Sequence, residues 1–437
     1  MLDSRSSKLK VVDLFCGAGG LSEGFRQAGF QILAGADQDP DACATYATNF
    51  RSATAVCGNI RTRNIRERFL EKAHDADVIV GGPPCQAFSQ VRNHSRLIDD
   101  PRNSLYREFV KVVAEAAPMA FVMENVPGLQ QMGAKEQVLE DLSIEGQYLV
   151  QAQLLDAVDF GVPQTRKRLF FIGIRRSIGL APPKVIGSGA SSGLTLTRDF
   201  HNGRPRYRII ASDRLYDRPL LDRLLDPDDA SIVSAEQAIS DLARLRVGSR
   251  EDCDVIDKLS DPMSAYQRHM RESHATEITN VSVPRINGDT KMRLDGLPPG
   301  GNYRDLSEAL TARYLTGQKW GPHNGSGQLG RKHYYAYRKL YPQFWSWTLN
   351  TKADSVYHYK AVRALSVREF ARLQSFPDSF IFTTDSRRGP LSGRMDGGAA
   401  HSRYRQAGNA VPPLLSRAVA RAIAKLLQRT EPRSKTA

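Results

Sequence analysis

One short segment near the start of the chain restricts its fold more than any other. The apolar run Lys10–Phe15 is followed at once by the glycine-rich segment GAGG at positions 17–20, after which apolar residues recur at helical spacing until Gly29. Glycine adopts the left-handed conformations that a tight strand-to-helix turn and a helix end require. A strand, a glycine-rich turn and a helix form the first unit of a doubly wound, nucleotide-binding α/β sheet.

The rest of the N-terminal part repeats this alternation. Six further apolar runs predict strands, at Gln31–Ala36, Ala53–Cys57, Ala76–Val80, Met119–Met123, Gln147–Leu154 and Leu169–Ile174. Helical stretches separate them, which predicts an α/β domain with a mostly parallel sheet. In such a sheet, ligands bind beyond the carboxyl ends of the strands. We therefore expect one cleft to contain the residues that follow the predicted strands, which are Gly17, Asp37, Asn59, Cys85 and Glu124.

Two of these residues indicate particular chemistry. Asp37 lies about 20 positions beyond the glycine-rich turn, a separation that suits hydrogen bonds to ribose hydroxyls. The turn lacks the pattern G-x-G-x-x-G, so a dinucleotide is not indicated. Cys85 follows a buried strand and two prolines in VIVGGPPCQAFSQ (78–90), and a rigidly presented thiol is a candidate nucleophile. The alternative is an unreactive cysteine that acts as a small apolar residue.

Composition excludes several classes of protein. The five cysteines are an odd number without a CxxC pair, so neither a disulfide framework nor a zinc site is expected, and no metal site is predicted. No apolar run approaches the roughly 18 residues of a membrane span. The first ten residues lack the apolar segment of a secretory signal. We therefore expect a cytoplasmic protein that does not contact a membrane.

Basic residues are concentrated in the downstream part of the chain. Residues 1–175 contain 20 Lys and Arg against 21 Asp and Glu, whereas residues 341–437 contain 16 against 6. This asymmetry favours a polyanionic partner for the C-terminal half, with nucleic acid as the leading candidate. The alternative is a solvated basic surface that only aids solubility.

Regular structure is harder to recognise in Arg176–Tyr341, which Gly- and Ser-rich stretches interrupt. A capping box of Ser234 with Gln237 indicates one helix there. A second capping box, at Ser366–Glu369, predicts a helix farther on. The apolar face of Leu414–Leu427 predicts a final helix that packs on the N-terminal sheet.

Six segments together resemble the DNA (cytosine-5)-methyltransferase family. They read DLFCGAGGLSEGF (13–25), GGPPCQAFS (81–89), ENVPG (124–128), QTRKRLFFIG (164–173), RALSVREFARLQSFPD (363–378) and QAGNAVPP (406–413), in that family's order. The resemblance implies a Rossmann-like S-adenosylmethionine-dependent methyltransferase sheet with a second, smaller and irregular DNA-recognition domain. It assigns residues 1–176 and 405–437 to the catalytic and cofactor-binding domain, and residues 177–404 to the smaller domain with the target-recognition region.

The resemblance also implies the reaction, which is transfer of a methyl group to C5 of cytosine. Cys85 would be the nucleophile that adds to C6, and Glu124 would hold the cytosine N3 and amine and supply a proton. Asn125 would brace the loop that carries Cys85. Arg166 and Arg168 would stabilise the cytosine carbonyl and the catalytic loop, and their charge favours the thiolate. No side chain is an obvious base for removing the C5 proton, so water is expected to do so.

By the same resemblance, residues at the strand ends bind S-adenosylmethionine. They are Phe15, Cys16, Gly17, Ala18, Gly19, Gly20, Leu21, Asp37, Gln38, Asn59, Ile60, Pro84, Leu105, Asn409 and Ala410. Phe15 is expected against the adenine or the sulfonium, Asp37 at the ribose hydroxyls and Asn59 at the adenine amine. The family usually has Glu where Asp37 stands and Asp where Asn59 stands. These departures favour weaker cofactor binding rather than a different cofactor.

The expected substrate is a cytosine in a specific double-stranded DNA sequence. Because the target atom is stacked inside the duplex, the base must be flipped into the cleft. The loop Ser89–Asp99 is expected to close over the DNA, and the basic downstream domain to contact phosphates and bases. Size and family imply a monomeric bacterial modification enzyme, paired with a restriction endonuclease that acts on the same site.

Three other functions fit some of these features. A tRNA cytosine-5 methyltransferase has a similar set of motifs, but the long irregular insert suits duplex DNA better. A catalytically silent DNA-binding relic is disfavoured because Cys85, Glu124, Arg166 and Arg168 are all present. A Rossmann oxidoreductase is disfavoured by the glycine pattern and by the Pro-Pro-Cys loop.

Overall fold

A seven-stranded sheet forms the centre of the molecule in the computed structural model, which describes residues 8–84, 104–131, 135–212, 218–245, 247–248, 252–256, 259–271, 276–310, 337–386 and 398–429. The strands are β1 Lys10–Leu14, β2 Gln31–Asp37, β3 Thr54–Cys57, β4 Val78–Gly81, β5 Ala120–Asn125, β6 Tyr148–Asp156 and β7 Lys167–Arg175. Their order across the sheet is β3-β2-β1-β4-β5-β7-β6. The pairs from β3 to β5 are parallel, and β7 runs antiparallel to β5 and β6. The predicted α/β fold with a mostly parallel sheet is confirmed.

Helices cover both faces of this sheet. The helices are α1 Gly20–Gln27, α2 Pro40–Asn49, α3 Arg63–Ala73, α4 Ser104–Ala116, α5 Gly128–Gln131, α6 Lys135–Leu142, α7 Ala190–Gly193, α8 Arg218–Leu225, α9 Ala235–Ile239, α10 Ala265–Met270, α11 Gly288–Asp295, α12 Val367–Leu373, α13 Gly398–Asn409 and α14 Pro413–Leu427. Single 3-10 turns lie at Ala157–Phe160, Arg176–Ile178, Ser240–Leu242, Tyr303–Asp305 and Ala353–Ser355. Because strand side chains alternate, Val11 joins the core beneath α1 and α14, whereas Val12 joins the core beneath α3 and α4. Among the described helices, none has the length and apolar character to cross a membrane.

The C-terminal helix α14 packs mainly against α1. Gly24 of α1 permits this approach, because a Cβ there would collide with the carbonyl of Pro413 and with Ser416. The Ser416 Oγ also donates a hydrogen bond to the carbonyl oxygen of Leu21 (2.8 Å). The prediction that this helix packs on the N-terminal sheet is confirmed, because its apolar face shares one core with the strand residues Val11, Val78 and Val80. The contact with α1 was not predicted.

The downstream part contains two small antiparallel ladders that the sequence analysis did not predict. They are β8 Leu194–His201 with β9 Arg204–Ala211, and β10 Cys253–Val255 with β11 Glu277–Thr279. Asn202 and Gly203 join β8 to β9, and both have a positive φ (49° and 72°), as a two-residue hairpin turn of this kind needs. An Asn-Gly pair between two runs rich in strand-forming residues is a signal for such a hairpin, although the surrounding polar composition obscures it.

The capping boxes predicted at Ser234 and Ser366 are present, and they begin helices α9 and α12. Helix α12 also carries Arg372, which is fully buried. The Arg372 Nε donates to Asp378 Oδ1 (2.6 Å), and its Nη2 donates to Asp241 Oδ2 (3.2 Å). Pairing a buried charge in this way avoids the large penalty of leaving it alone. The ion cluster thus fixes α12 to the turn that follows α9.

Candidate active-site cleft

A cleft of about 440 Å³ opens at the carboxyl ends of the central strands. Its volume is in the range that encloses small organic ligands. All but one of the residues predicted to bind the cofactor line the cleft. They are Phe15, Cys16, Gly17, Ala18, Gly20, Leu21, Asp37, Gln38, Asn59, Ile60, Pro84, Leu105, Asn409 and Ala410. Glu124, Asn125, Arg166 and Arg168 line it as well. Gly19 does not: it precedes α1 with φ 98°, and a Cβ there would collide with the ring of Phe50.

The turn between β1 and α1 is held tightly between two neighbours. Phe15 and Gly17 both have left-handed backbones, with φ of 65° and 52°, which is uncommon for a phenylalanine. The Gly17 N–H donates to Asp37 Oδ2 (2.9 Å). On the other side, Gly20 lies so close to the carbonyl of Val411 that no side chain fits between them. The turn is thus compressed between Asp37 and Val411, and its residues Phe15, Gly17 and Gly20 line the cleft.

The Asp37 carboxyl group is engaged by the backbone on both oxygens. In addition to Gly17, the N–H of Asp39 donates to Asp37 Oδ1 (2.9 Å). Burial raises the pKa of Asp37, and these two N–H donors oppose that shift. A carboxylate oxygen has a second lone pair, so the group can still accept from a ligand hydroxyl while it supports the turn.

Asn59 and Ile60 form the wall of the cleft beyond β3. The side chain of Ile60 is buried, whereas Asn59 is exposed. The Asn59 Oδ1 accepts a hydrogen bond from the N–H of Arg61 (3.1 Å), which orients the amide in a local turn. Asn59 therefore presents a fixed polar edge to the cleft.

Glu124 lies at the other end of the cleft, where β5 ends. Its Oε1 is 2.7 Å from the Nε of Arg168, and the two side chains are 13% and 14% exposed. Burial raises the pKa of Glu124, although the nearby charges of Arg168 and Arg166 act in the opposite direction. A carboxyl group with a raised pKa holds its proton more readily than an ordinary one, which suits a proton donor.

Arg166 links three parts of the cleft wall. It is buried, and its Nη1 and Nη2 donate to the carbonyl oxygens of Leu349 and Asn409 (both 3.2 Å). Its backbone N–H donates to Asp156 Oδ1 (2.8 Å). Arg166 is therefore a cation close to Glu124 that also ties α13 and the segment around Leu349 to the start of β7.

The predicted nucleophile Cys85 lies outside the described residues, as does the loop Ser89–Asp99. The path that leads to Cys85 is described as far as Pro84, which lines the cleft. A Cβ on Gly81 would strike the carbonyl of Leu14, and one on Gly82 would lie 2.9 Å from Glu124 Oε2. The two glycines are thus required for β4 to approach both β1 and Glu124.

Asn125 forms one contact that bears on its predicted role. Its Oδ1 accepts a hydrogen bond from the N–H of Val126 (2.7 Å), and its side chain is buried in the cleft wall. This bond fixes the turn that follows β5. The predicted support of the Cys85 loop involves residues outside the described part of the chain.

Sequence reasoning missed an ion pair at the mouth of the cleft. The Arg405 Nη2 of α13 donates to Asp39 Oδ2 (2.6 Å), and both residues line the cleft. Asp39 Oδ1 accepts from the N–H of Asp41 (3.1 Å) and so caps α2. The Asp-Pro pair at the start of α2 is a local signal for that cap, but no local signal indicates Arg405 as the partner.

Comparison with known proteins finds relatives that are all named as methyltransferases or methylases. The family model for C-5 cytosine-specific DNA methylase matches residues 9–425. The chain is 33% identical to the type II methyltransferase M.AgeI of Thalassovita gelatinovora, over 95% of this chain and 99% of that protein. It is 31% identical to M.DdeI of Desulfomicrobium norvegicum, over 95% and 88%. A prophage-encoded protein of E. coli, assigned as a DNA modification methyltransferase, has a similar fold, with a TM-score of 0.65, 23% identity and coverage of 96% and 100%.

Proposed function

This chain belongs to the family of C-5 cytosine-specific DNA methylases, and from that premise we propose that it transfers a methyl group from S-adenosylmethionine to C5 of a cytosine flipped out of a specific double-stranded DNA sequence. The enzyme is a DNA (cytosine-5)-methyltransferase, and the predicted methyltransferase fold is confirmed.

One observation carries the proposal. The Glu124 carboxyl group, paired with Arg168, shares a single cleft with the compressed glycine-rich turn and Asp37. A proton donor for a pyrimidine ring therefore lies in the same cavity as a set of groups suited to a nucleoside. Such a cavity can hold the two reactants next to each other, which is what a direct transfer between them needs.

The chemistry explains the residue types. Cytosine C5 is a weak nucleophile, so we propose that the Cys85 thiolate first adds to C6 while Glu124 donates a proton to N3. The ring then becomes an enamine whose C5 can form a bond to an electrophilic carbon. After the transfer, water removes the C5 proton and the Cys85–C6 bond breaks, which restores the thiolate. N3 then returns its proton to Glu124, so the methylated cytosine leaves neutral. The positive charges of Arg166 and Arg168 favour the thiolate and stabilise the cytosine carbonyl.

The cleft suits S-adenosylmethionine, which when bound supplies an electrophilic methyl group on a sulfonium. Asp37 would accept hydrogen bonds from the ribose hydroxyls, and Asn59 would accept one from the adenine amine. The backbone from Cys16 to Leu21 would surround the methionine part, and Phe15 would contact the adenine or the sulfonium. The Asp37 carboxylate already accepts a hydrogen bond from the Gly17 N–H. Its side chain, one methylene shorter than the Glu that the family usually has, would therefore hold both the turn and the ribose.

Two parts of the chain have different roles toward DNA. Residues 1–176 and 405–437 carry the chemistry, and residues 177–404 contact the duplex, in keeping with the basic excess downstream. The loop Ser89–Asp99 closes over the flipped base. The names of the relatives support a role as the modification enzyme of a restriction system with a cognate endonuclease.

A duplex that contains 5-fluorocytosine tests the covalent step. In the presence of S-adenosylmethionine, fluorine replaces the proton that must leave C5 after methyl transfer. The Cys85–C6 bond then cannot break, and the protein stays attached to DNA under denaturing conditions. We expect a trapped complex with the native chain and with Cys253→Ser, whose thiol is exposed and distant in sequence, but none with Cys85→Ser. Cys85→Ser should abolish transfer of labelled methyl groups to plasmid DNA while DNA binding stays measurable. Full activity of Cys85→Ser, or transfer to tRNA but not to plasmid DNA, would contradict the proposal.

A further inference from the structure

The hairpin of β8 and β9 carries a row of arginines on one face. Residues of a strand alternate between its faces, and Arg204, Arg206 and Arg208 occupy successive positions on the outer face of β9, all exposed. Two-residue steps along a strand place them about 7 Å apart. This spacing is comparable with that of successive phosphates along one strand of a nucleic acid. Their partners across the ladder are His201, Asp199 and Thr197.

The inner face of the same hairpin is anchored. The Tyr207 hydroxyl donates to Asp305 Oδ2 (2.7 Å), and the Arg198 Nε donates to Asp305 Oδ1 (2.6 Å). The Asp305 side chain is fully buried by these contacts. Gly300 also lies against Tyr207, so closely that a Cβ there would be 2.9 Å from the ring. These contacts fix the orientation of the hairpin without using the arginines of the outer face.

The outer face has an excess of positive charge. Asp199 is its one carboxylate, and Arg208 lies 3.4 Å from it, with both side chains more than half exposed. Within the described part of the chain, neither Arg204 nor Arg206 forms an ion pair. An exposed pair such as Arg208 with Asp199 contributes little to stability, so the face is free to exchange it for an external anion.

We propose that the outer face of this hairpin binds the phosphate backbone of duplex DNA through Arg204 and Arg206, with Arg208 as a weaker third contact. The inference rests on the proposed function, because it assumes that duplex DNA is the substrate. Phosphate contacts position a protein on DNA but carry no sequence information. The hairpin therefore supplies affinity, and the choice of cytosine is made elsewhere in the chain.

The test compares DNA binding by the native chain and by the double variant Arg204→Ala/Arg206→Ala over a range of salt concentrations. Removal of one arginine–phosphate interaction lowers the slope of log affinity against log salt by about 0.9. We therefore expect the slope to fall by about 1.8, equally for duplexes with and without the methylated site. The sequence pattern of methylated cytosines should stay the same. The variant Arg204→Lys/Arg206→Lys keeps both charges and should restore most of the slope.

Arg63→Ala/Arg68→Ala is the matched control, since it removes the same charge from exposed positions on α3. An unchanged slope in the hairpin variant, an equal fall in the control, or an altered methylation pattern would overturn the inference. A fall in affinity for structured RNA but not for duplex DNA would also overturn it. If instead the native chain methylates no duplex DNA, the proposed function itself fails. Failure of the proposed function can be told apart from failure of the inference about the hairpin, because it is measured on the native chain before any variant is compared.

Discussion

Relative to the native chain, the variant Asp13→Asn should gain free energy of unfolding as the pH rises from about 5 to about 8. Asp13 lies on β1 beneath α1 and is 1% exposed. Its Oδ2 accepts hydrogen bonds from the Ser22 Oγ (2.7 Å) and N–H (3.2 Å), whereas its Oδ1 has no hydrogen-bond partner in the described part of the chain. Burial raises the pKa of Asp13 from 3.8 to about 7, because the two bonds from Ser22 only partly offset the loss of water.

The magnitude follows from this shift. Below about pH 4 the carboxyl is protonated in both the folded and the unfolded protein, so it has no effect on the pH dependence. As the pH rises, the unfolded chain loses the proton first, and the free energy of unfolding falls until the folded pKa of about 7 is passed. A shift of about three units corresponds to about 4 kcal/mol, of which about 2.5 kcal/mol falls between about pH 5 and pH 8. An asparagine does not titrate, so the variant lacks this decline.

The assay is urea unfolding of the native chain and of Asp13→Asn at a series of pH values, followed by tryptophan fluorescence. The introduced asparagine keeps an acceptor for Ser22, so the two proteins should have similar free energies of unfolding at the lowest pH. As the pH rises, the variant should become steadily more stable than the native chain. Asp75→Asn, at an exposed position, controls for the change in net charge. A stability difference that is the same at every pH, or that grows in favour of the native chain, would refute the reasoning about Asp13.

Two further variants test the geometry around Glu124. Glu124→Gln removes the proton that the proposed addition needs, so methyl transfer should slow by about 10²- to 10⁴-fold with little change in DNA affinity; a loss of only two-fold in single-turnover assays would mean that another group supplies the proton. Gly82→Ala places a methyl group 2.9 Å from Glu124 Oε2, so kcat should fall at least ten-fold while cofactor affinity, measured by calorimetry, changes little. Gly128→Ala is the matched control, because a Cβ there meets nothing within 4 Å; equal losses in both alanine variants would argue against a specific displacement of Glu124.

Local patterns predicted the sheet and the position of the cleft well. Each of the seven strands lies within two residues of its predicted bounds, because short buried runs between turn residues are a local signal. The glycine-rich turn and Asp37 were predicted to meet for the same reason, since the carboxyl ends of parallel strands share one edge. Helix α13 was not predicted, because its sequence lacks a continuous apolar face.

Contacts between distant polar groups were beyond prediction. The Asn49 amide of α2 donates to the carbonyl of Ile381 and accepts from its N–H (both 2.8 Å). Thr45 exchanges the same pair of bonds with Thr383. In the sequence, this polar face of α2 is indistinguishable from a solvent-exposed one, and its partners lie more than 300 residues away.

The contact of α1 with Val411 and with α14 has a consequence for biosynthesis. The turn at Gly20 leaves the ribosome long before the backbone that covers it at Val411 is made. A nascent chain that has not reached Val411 has the sheet residues but lacks one wall of the cleft. Premature termination upstream of Val411 therefore yields fragments without a closed cleft, so the activity appears only when the two distant segments have met.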